Sequence, residues 1–474
     1  MLTIGIVTAV IIRTVTKNSE LFTRITIGTL LFSILLSFQT YSITPSGSIS
    51  ILGGLFQMDG LINALEMYLL IASTLLITFL LGRNDNFGSE YRIILGFSVL
   101  GMITLIQSYD LISTFLAIEL QSLSLYVIAS IARKEATAAG LKYFLLGSLS
   151  SAIFLLGLVI VYSWTGITQY DGLNMIYAAS SLANGDENSM VATISIIFIT
   201  IGLLFKIGAA PFHNWAPDVY DNVPTIVTSW LAIMGKLSIL SFLFILKTTG
   251  VFAESIETFS LLTLSATLSL LIGSILGLVQ YRIKRLLAYS SISHLGYLLI
   301  GISIDSGLAV SSFLFYMFQY WLSLICIFAI LTREDSIKSV ASLKLLSSNP
   351  ALIIAMIINL FSLTGIPPLI GFFGKQMILH TLLEHGSYLT ATIAICTSVI
   401  SAAYYLRIVK TLGGFETETY TVTASSDASI NNSFVRPVSW IISVISLLIL
   451  SVFQTPSLLL SFTHSFAVWS IMGI

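Results

Sequence analysis

Six ionisable side chains, Glu119, Lys142, Lys206, Lys236, His294 and Lys375, fall inside long apolar runs. Their types point to proton handling. Burial disfavours the charged form of a lysine and a nearby carboxylate favours it again, so a lysine held between the two influences can load and release a proton. Glu119 is the carboxylate placed as deep in its run as Lys206 is in a later one, which makes the two natural partners. Lys236 lies equally deep in the run that follows. A charge at the centre of a bilayer costs about 2.5–3.5 kcal/mol on insertion scales. Several such groups must therefore pair or face water-filled cavities within a bundle. The competing readings are bland. Lys142 lies about one turn from a run's basic end, where a lysine ordinarily reaches to the interface. A lone histidine such as His294 is as readily a hydrogen-bonded packing residue. Glu66, nearer an outer edge, reads as a solvated carboxylate, and the many aromatics read as packing residues.

The elements that carry these residues follow from composition. Of 474 residues 56% are apolar and 9% charged, against roughly a quarter charged in a soluble domain, which marks an all-α polytopic membrane protein. The longest polar stretches, Thr165 to Met190 and Gly413 to Ser433, are too short to fold alone around a nucleotide or flavin. Cys326 and Cys396 are too few for an iron–sulfur site, and no metal site is expected. No basic block suggests nucleic acid. Met1 leads directly into an apolar segment without a basic n-region, so no cleavable presequence is expected.

A spanning helix needs about 20 apolar residues. By that rule the chain reads as about fourteen spans, starting near Leu2, Leu21, Gly60, Tyr91, Tyr109, Ala138, Val191, Val223, Glu257, Arg285, Gly307, Pro350, Tyr388 and Phe434. The first is short. Sixteen of the 21 Lys and Arg then gather at one face, Lys247 lies at the other, and Lys142, Lys206, Lys236 and Lys375 remain within the spans. The basic face is cytoplasmic or matrix by the positive-inside rule, with both termini outside.

Proline removes a backbone donor and clashes with the preceding turn. Gly208-Ala-Ala-Pro211 in the seventh span and Gly365-Ile-Pro367-Pro368 in the twelfth therefore predict helices interrupted within the membrane. The shared Gly-x-x-Pro pattern lies five spans apart, and an odd offset inverts a repeat. The expected organisation is N-terminal helices over 1–89, a first five-helix unit over 90–250, an inverted second unit over 251–412, and a matrix-side loop with a final helix over 413–474. If the twelfth span resumes as a helix after its break, Lys375 lies on the outer side, about 10 Å beyond the break at 1.5 Å per residue, placed to discharge protons outward.

The segments Glu119-Leu-Gln-Ser-Leu-Ser-Leu-Tyr126, Gly140-Leu-Lys-Tyr-Phe144, Lys206-Ile-Gly-Ala-Ala-Pro-Phe-His-Asn-Trp-Ala-Pro-Asp-Val-Tyr220, Lys284-Arg-Leu-Leu-Ala-Tyr-Ser-Ser-Ile-Ser-His-Leu-Gly-Tyr297 and Gly365-Ile-Pro-Pro-Leu-Ile-Gly-Phe372 resemble the signatures of the antiporter-like membrane subunits of respiratory complex I, most closely its subunit 2 family. The likeness covers about residues 90 to 412. It implies two inverted five-helix units and a midplane chain of ionisable residues in a complex that oxidises NADH, reduces ubiquinone and pumps protons. FMN, iron–sulfur clusters, NADH and ubiquinone would sit in other subunits, with no cofactor in this chain. By the same resemblance Glu119 and Lys206 form the coupled pair, Lys142 and Lys236 the internal relay, and Lys375 the terminal lysine, while His294 matches a position commonly histidine. Implied partners are other membrane-arm subunits, a neighbouring antiporter-like subunit included, and membrane lipids. Gln121 resembles organelle-encoded forms, pointing to the mitochondrial inner membrane, with a bacterial plasma membrane as the alternative.

A stand-alone cation/proton antiporter would share fold and lysines; the subunit 2 signatures disfavour it. An intramembrane haem protein needs histidines paired across helices, and His213, His294, His380, His385 and His464 supply no recurring pair. A purely structural scaffold has little reason to keep charges at mid-bilayer depth.

Overall fold

Long apolar stretches with their backbone groups satisfied internally can cross hydrocarbon only as helices or closed barrels, and this chain takes the helical solution. The computed structural model describes residues 2–15, 19–43, 48–80, 89–131, 134–182, 186–250, 256–333, 337–413, 432–452, 460–461 and 463–465. Among them ten helices are long and apolar enough to cross a membrane, and three apolar helices are shorter. The first half runs α1 (Leu2–Val15), α2 (Ser19–Ile43), α3 (Gly60–Thr78), α4 (Ser89–Gln107), α5 (Leu111–Ile131), α6 (Lys134–Thr165), α7 (Tyr170–Leu182), α8 (Asp186–Ile207), α9 (Trp215–Asn222), α10 (Thr225–Trp230) and α11 (Lys236–Thr248). A π-helical turn, Leu231–Gly235, joins α10 to α11 as one span. The second half holds α12 (Ile256–Leu278), α13 (Ile283–Ser303), α14 (Gly307–Arg333), α15 (Pro350–Thr364), α16 (Ile370–Glu384), α17 (Tyr388–Leu412) and α18 (Asn432–Ser451). A helix lies at each of the expected span positions. Arg83, Arg133 and most of the Gly413–Ser433 stretch lie outside the described residues.

One helix and a hairpin were not expected. Part of the polar stretch after Thr165 forms α7, and Ile49–Ile51 (β1) pairs antiparallel with Phe56–Met58 (β2). The hairpin meets Ser108, and Asp110 bridges to Gln169, so the connections after α2, α4 and α6 gather at one end.

Both predicted interruptions are present. After α8 the chain turns at Gly208 with φ +74°, and after α15 at Gly365 with φ +83°, left-handed conformations that glycine adopts without a side-chain clash. Backbone freed inside a membrane must find partners. At the first break α12 supplies them: Ser269 Oγ accepts from Ala210 N at 2.9 Å, and Ser265 Oγ donates to Ala210 O at 2.8 Å. At the second break the partner is a charge, for Lys375 Nζ donates to Thr364 O at 2.7 Å.

α13 is among the most buried spans, and small residues let it pack closely on α12. A Cβ on Gly273 of α12 would meet Ser293 N at 2.5 Å, and one on Gly296 of α13 would meet Ala266 O at 2.8 Å. At the end opposite the hairpin, ionic contacts tie α9 to α13: Arg285 bonds Asp218, Arg282 bonds Asp221 at 2.7 Å, and Lys284 donates to Val223 O at 2.6 Å. Lys142 of α6 shares the Asp218 carboxylate. Burial pushes that carboxyl up, but hydrogen bonds and charge from Lys142 and Arg285 outweigh it and hold it below the ordinary range.

A depressed folded-state pKa means that the Asp218 contacts contribute stability fully above the unfolded value, about 3.9, and lose it as pH falls through the folded one. The tie should therefore be intact at pH 7, where Asp218→Asn should raise Lys142 labelling by an amine-reactive reagent and acidification to pH 5 should not. At the second break, a Cβ on Gly371 would lie 1.7 Å from Ser362 O, whereas one on Gly28 meets nothing within 4 Å. Gly371→Val should thus lower the thermal stability of the detergent-extracted chain, read by size-exclusion chromatography after heating, by about 1–3 kcal/mol or more. Gly28→Ala should leave it unchanged within about 0.5 kcal/mol.

Candidate proton-transfer site

Lys206 occupies the last turn of α8, immediately before the Gly208 break. Its ammonium donates to Ser151 Oγ of α6 at 2.8 Å and lies 3.6 Å from Glu119 Oε1 of α5, with Tyr126 OH at 3.4 Å. The expected Glu119–Lys206 pair is therefore assembled, with a serine holding the nearer contact. The site depends on tight helix approach: a Cβ on Gly147 of α6 would lie 1.9 Å from Tyr126 OH. Glu119 is the more open partner, its side chain 26% exposed beside the outward-facing Leu116 and Leu123 of the same helix.

Lys236 opens α11 directly after the π-helical turn and is 1% exposed. Its ammonium donates to Ser291 Oγ of α13 at 2.7 Å and lies 5.5 Å from the centre of the Tyr220 ring. Three residues along α13, His294 is held between two hydroxyls: Nδ1 is 2.6 Å from Tyr316 OH and Nε2 3.1 Å from Tyr405 OH. Its ring stacks on Tyr320 at 4.8 Å. Another three residues on, Tyr297 presents its ring 5.6 Å from Lys375 Nζ and donates its hydroxyl to Ala394 O. Ser291, His294 and Tyr297 thus form one polar stripe along α13, with Lys236 at one end and Lys375 at the other.

The Lys375 side chain folds back toward the break, so that Nζ bonds Thr364 O, at the negative end of α15. Two expectations need correction. Glu66 is not solvated. It is buried in α3 and accepts from Gln107 Nε2 of α4 at 2.7 Å. The tyrosines are more than packing, because Tyr126, Tyr316 and Tyr405 bring hydroxyls to Lys206 and His294. Lys142 is 43% exposed and bonds Asp218 at the basic end, apart from the central stripe. Sequence reasoning missed Ser151 and Ser291. Ser291 carried a signal, since serine, histidine and tyrosine three residues apart trace one helix face, whereas Ser151 carried none.

An ammonium has three donors and the unprotonated amine one lone pair. The described protein groups use only part of that capacity at Lys236, so either charge state can be accommodated there once water completes the shell. The arrangement can exchange protons between fixed amines through hydroxyls, imidazole and water. Among the described residues no cluster of three or more His, Cys, Asp or Glu forms a metal site.

Residues 108–401 match the NADH:quinone oxidoreductase/Mrp antiporter transmembrane family. The NADH-ubiquinone oxidoreductase chain 2 of Rhizopus oryzae is 45% identical over 82% of this chain and 80% of that relative. The NADH-quinone oxidoreductase subunit N of Rhodospirillum rubrum is 38% identical over 76% of this chain and 74% of its own length. A chain of respiratory complex I from Thermus thermophilus superposes with a TM-score of 0.80 at 25% identity, covering 97% of each. A protein with this fold, these relatives and these buried charges is a proton-translocating membrane-arm subunit of complex I type, its redox cofactors carried by other subunits, and belongs to the NADH:quinone oxidoreductase/Mrp antiporter transmembrane family on its chain 2 branch.

Proposed function

We propose that protons travel through this subunit from the matrix or cytoplasmic side outward along Glu119, Lys206, Lys236, His294 and Lys375, driven by quinone reduction elsewhere in the complex. The observation that carries this reading is the α13 stripe, which spaces hydroxyl, imidazole and tyrosine between two buried lysines. Glu119 favours the charged form of Lys206, and weakening that pair lets Lys206 release its proton toward Lys236. Lys142, beside Asp218 at the basic end, stands at the inlet. Lys375 is the terminal lysine, its ammonium retained by the α15 end until the proton leaves.

The organisation into a first unit over 90–250 and an inverted second unit over 251–412 belongs to the same reading. It is supported by the two left-handed glycine breaks. We place the protein in the mitochondrial inner membrane, with a chain 2 from Rhizopus oryzae as the support; a bacterial plasma membrane is the alternative, represented by a subunit N. The partly exposed Glu119 among outward-facing leucines of α5 calls for a protein neighbour rather than lipid, because a carboxylate against hydrocarbon is costly. We assign that face to an adjoining membrane-arm subunit and another to the neighbouring antiporter-like subunit.

In the assembled complex reconstituted into sealed vesicles, Lys236→Ala and Lys375→Ala should each lower NADH-driven proton uptake by about a hundredfold, the scale of a lost acid–base group. Glu119→Gln should impair pumping while leaving assembly intact. Normal pumping by assembled Lys236→Ala enzyme would remove the relay from this subunit. A cysteine at Leu123 should cross-link to another subunit; labelling only by a lipid-phase reagent would overturn the assignment of that face.

A further inference from the structure

Lys206 and Lys236 line a small cavity of about 10 Å³, room for about one water. Gln121, Ser122 and Gly235 line it as well. Gln121 comes from α5, two residues beyond Glu119, and is 2% exposed. Both ends of its amide are engaged on the neighbouring span: Nε2 donates to Gly235 O at 3.3 Å, and Oε1 accepts from Ser238 Oγ at 3.0 Å. Gly235 ends the π-helical turn and Ser238 lies on the first turn of α11, so the two contacts bracket Lys236.

We propose that Gln121 is a positioning residue for the proton step between Lys206 and Lys236, clamping the π-helical turn so that a single water fits between the two amines. The inference rests on the relay reading above and assigns to it a specific bridge. In the step, the water takes a proton from the Lys206 ammonium and gives one to the unprotonated Lys236 amine, so that Lys206 ends neutral, Lys236 charged and the water unchanged. The amide suits the task because it holds both contacts without carrying a charge that would trap the proton. Its backbone is close-fitted as well, for a Cβ on Gly101 of α4 would lie 2.7 Å from Gln121 N. A helix with a π turn has a regular α-helical alternative, and loss of the clamp would free the turn to rewind and shift Lys236.

The test uses the assembled enzyme in sealed vesicles, reading NADH oxidation and proton uptake against pH. The titratable groups around the cavity are Lys206 from α8, Lys236 from α11 and Tyr143 from α6, with Glu119 of α5 paired to Lys206. Gln121→Leu, which removes both hydrogen bonds, should lower coupled turnover by about tenfold, within the range of misplaced proton-transfer groups. Gln121→Glu keeps the size and the acceptor for Ser238. Its added carboxylate should favour charged Lys236, moving the alkaline limb of the pumping profile up by about one pH unit, a shift that a packing role does not produce. Ser238→Ala, losing one contact, should fall between Gln121→Leu and the unaltered enzyme. If Gln121→Leu fails to assemble, Gln121→Glu and Ser238→Ala decide. Normal turnover in assembled Gln121→Leu, or an unshifted profile in Gln121→Glu, overturns the proposal. Lys236→Ala separates the two readings: if it stops pumping while Gln121→Leu is normal, only the clamp fails; if it pumps normally, the relay itself fails.

Discussion

The constraint on which this structure turns is the cost of an ammonium group in hydrocarbon. Each of the three central lysines meets it in the same way, with one strong acceptor and one tyrosine ring. Lys206 has Ser151 and Tyr126, Lys236 has Ser291 and Tyr220, and Lys375 has Thr364 O and Tyr297. A hydroxyl or carbonyl satisfies one donor, and an aromatic face attracts the cation without accepting its proton. Such a shell tolerates charge without demanding it. Glu119 is the exception, and by adding a formal counter-charge at Lys206 alone it makes the three sites unequal. A relay of identical amines would have no direction, so that asymmetry is what a pump requires.

The two helix breaks solve one backbone problem with different chemistry. At Ala210 the freed groups are satisfied by neutral hydroxyls from α12, and they remain so whatever the protonation of nearby residues. At Thr364 the carbonyl is satisfied by Lys375, whose donor count changes with its charge. The second break is therefore tied to the charge of Lys375 and the first to no ionisable group. Around both, α13 acts as the common wall. It is held close to α12 by Gly273 and Gly296 and anchored at the basic end through Arg282 and Arg285, so its polar stripe stays in register with both halves.

What could be read from the sequence was what is local or forced by the bilayer. Apolar run lengths located the helices, Pro211 and Pro367-Pro368 located the breaks, and the isolation of Glu119 and Lys206 required that they meet. The Ile49–Met58 hairpin was not expected, although Ile-Ser-Ile, a Gly-Gly turn and Phe-Gln-Met form a strand–turn–strand pattern. Partners brought from distant helices were not legible. Nothing near Glu66 announces Gln107, 41 residues away, and nothing near His294 announces Tyr405, 111 residues away. Lys375 shows a further limit: its place on α16 followed from counting residues, but the direction of its side chain depends on a free carbonyl that exists only once the break has formed.

The contact between Gly147 and Tyr126 carries a consequence for the history of the fold. With 1.9 Å between the tyrosine oxygen and the place a Cβ would occupy, even alanine at 147 is incompatible with a tyrosine in this rotamer at 126. The two positions are therefore not free to drift independently: a lineage can replace the tyrosine first and the glycine afterwards, but the opposite order passes through an intermediate whose Lys206 pocket is obstructed.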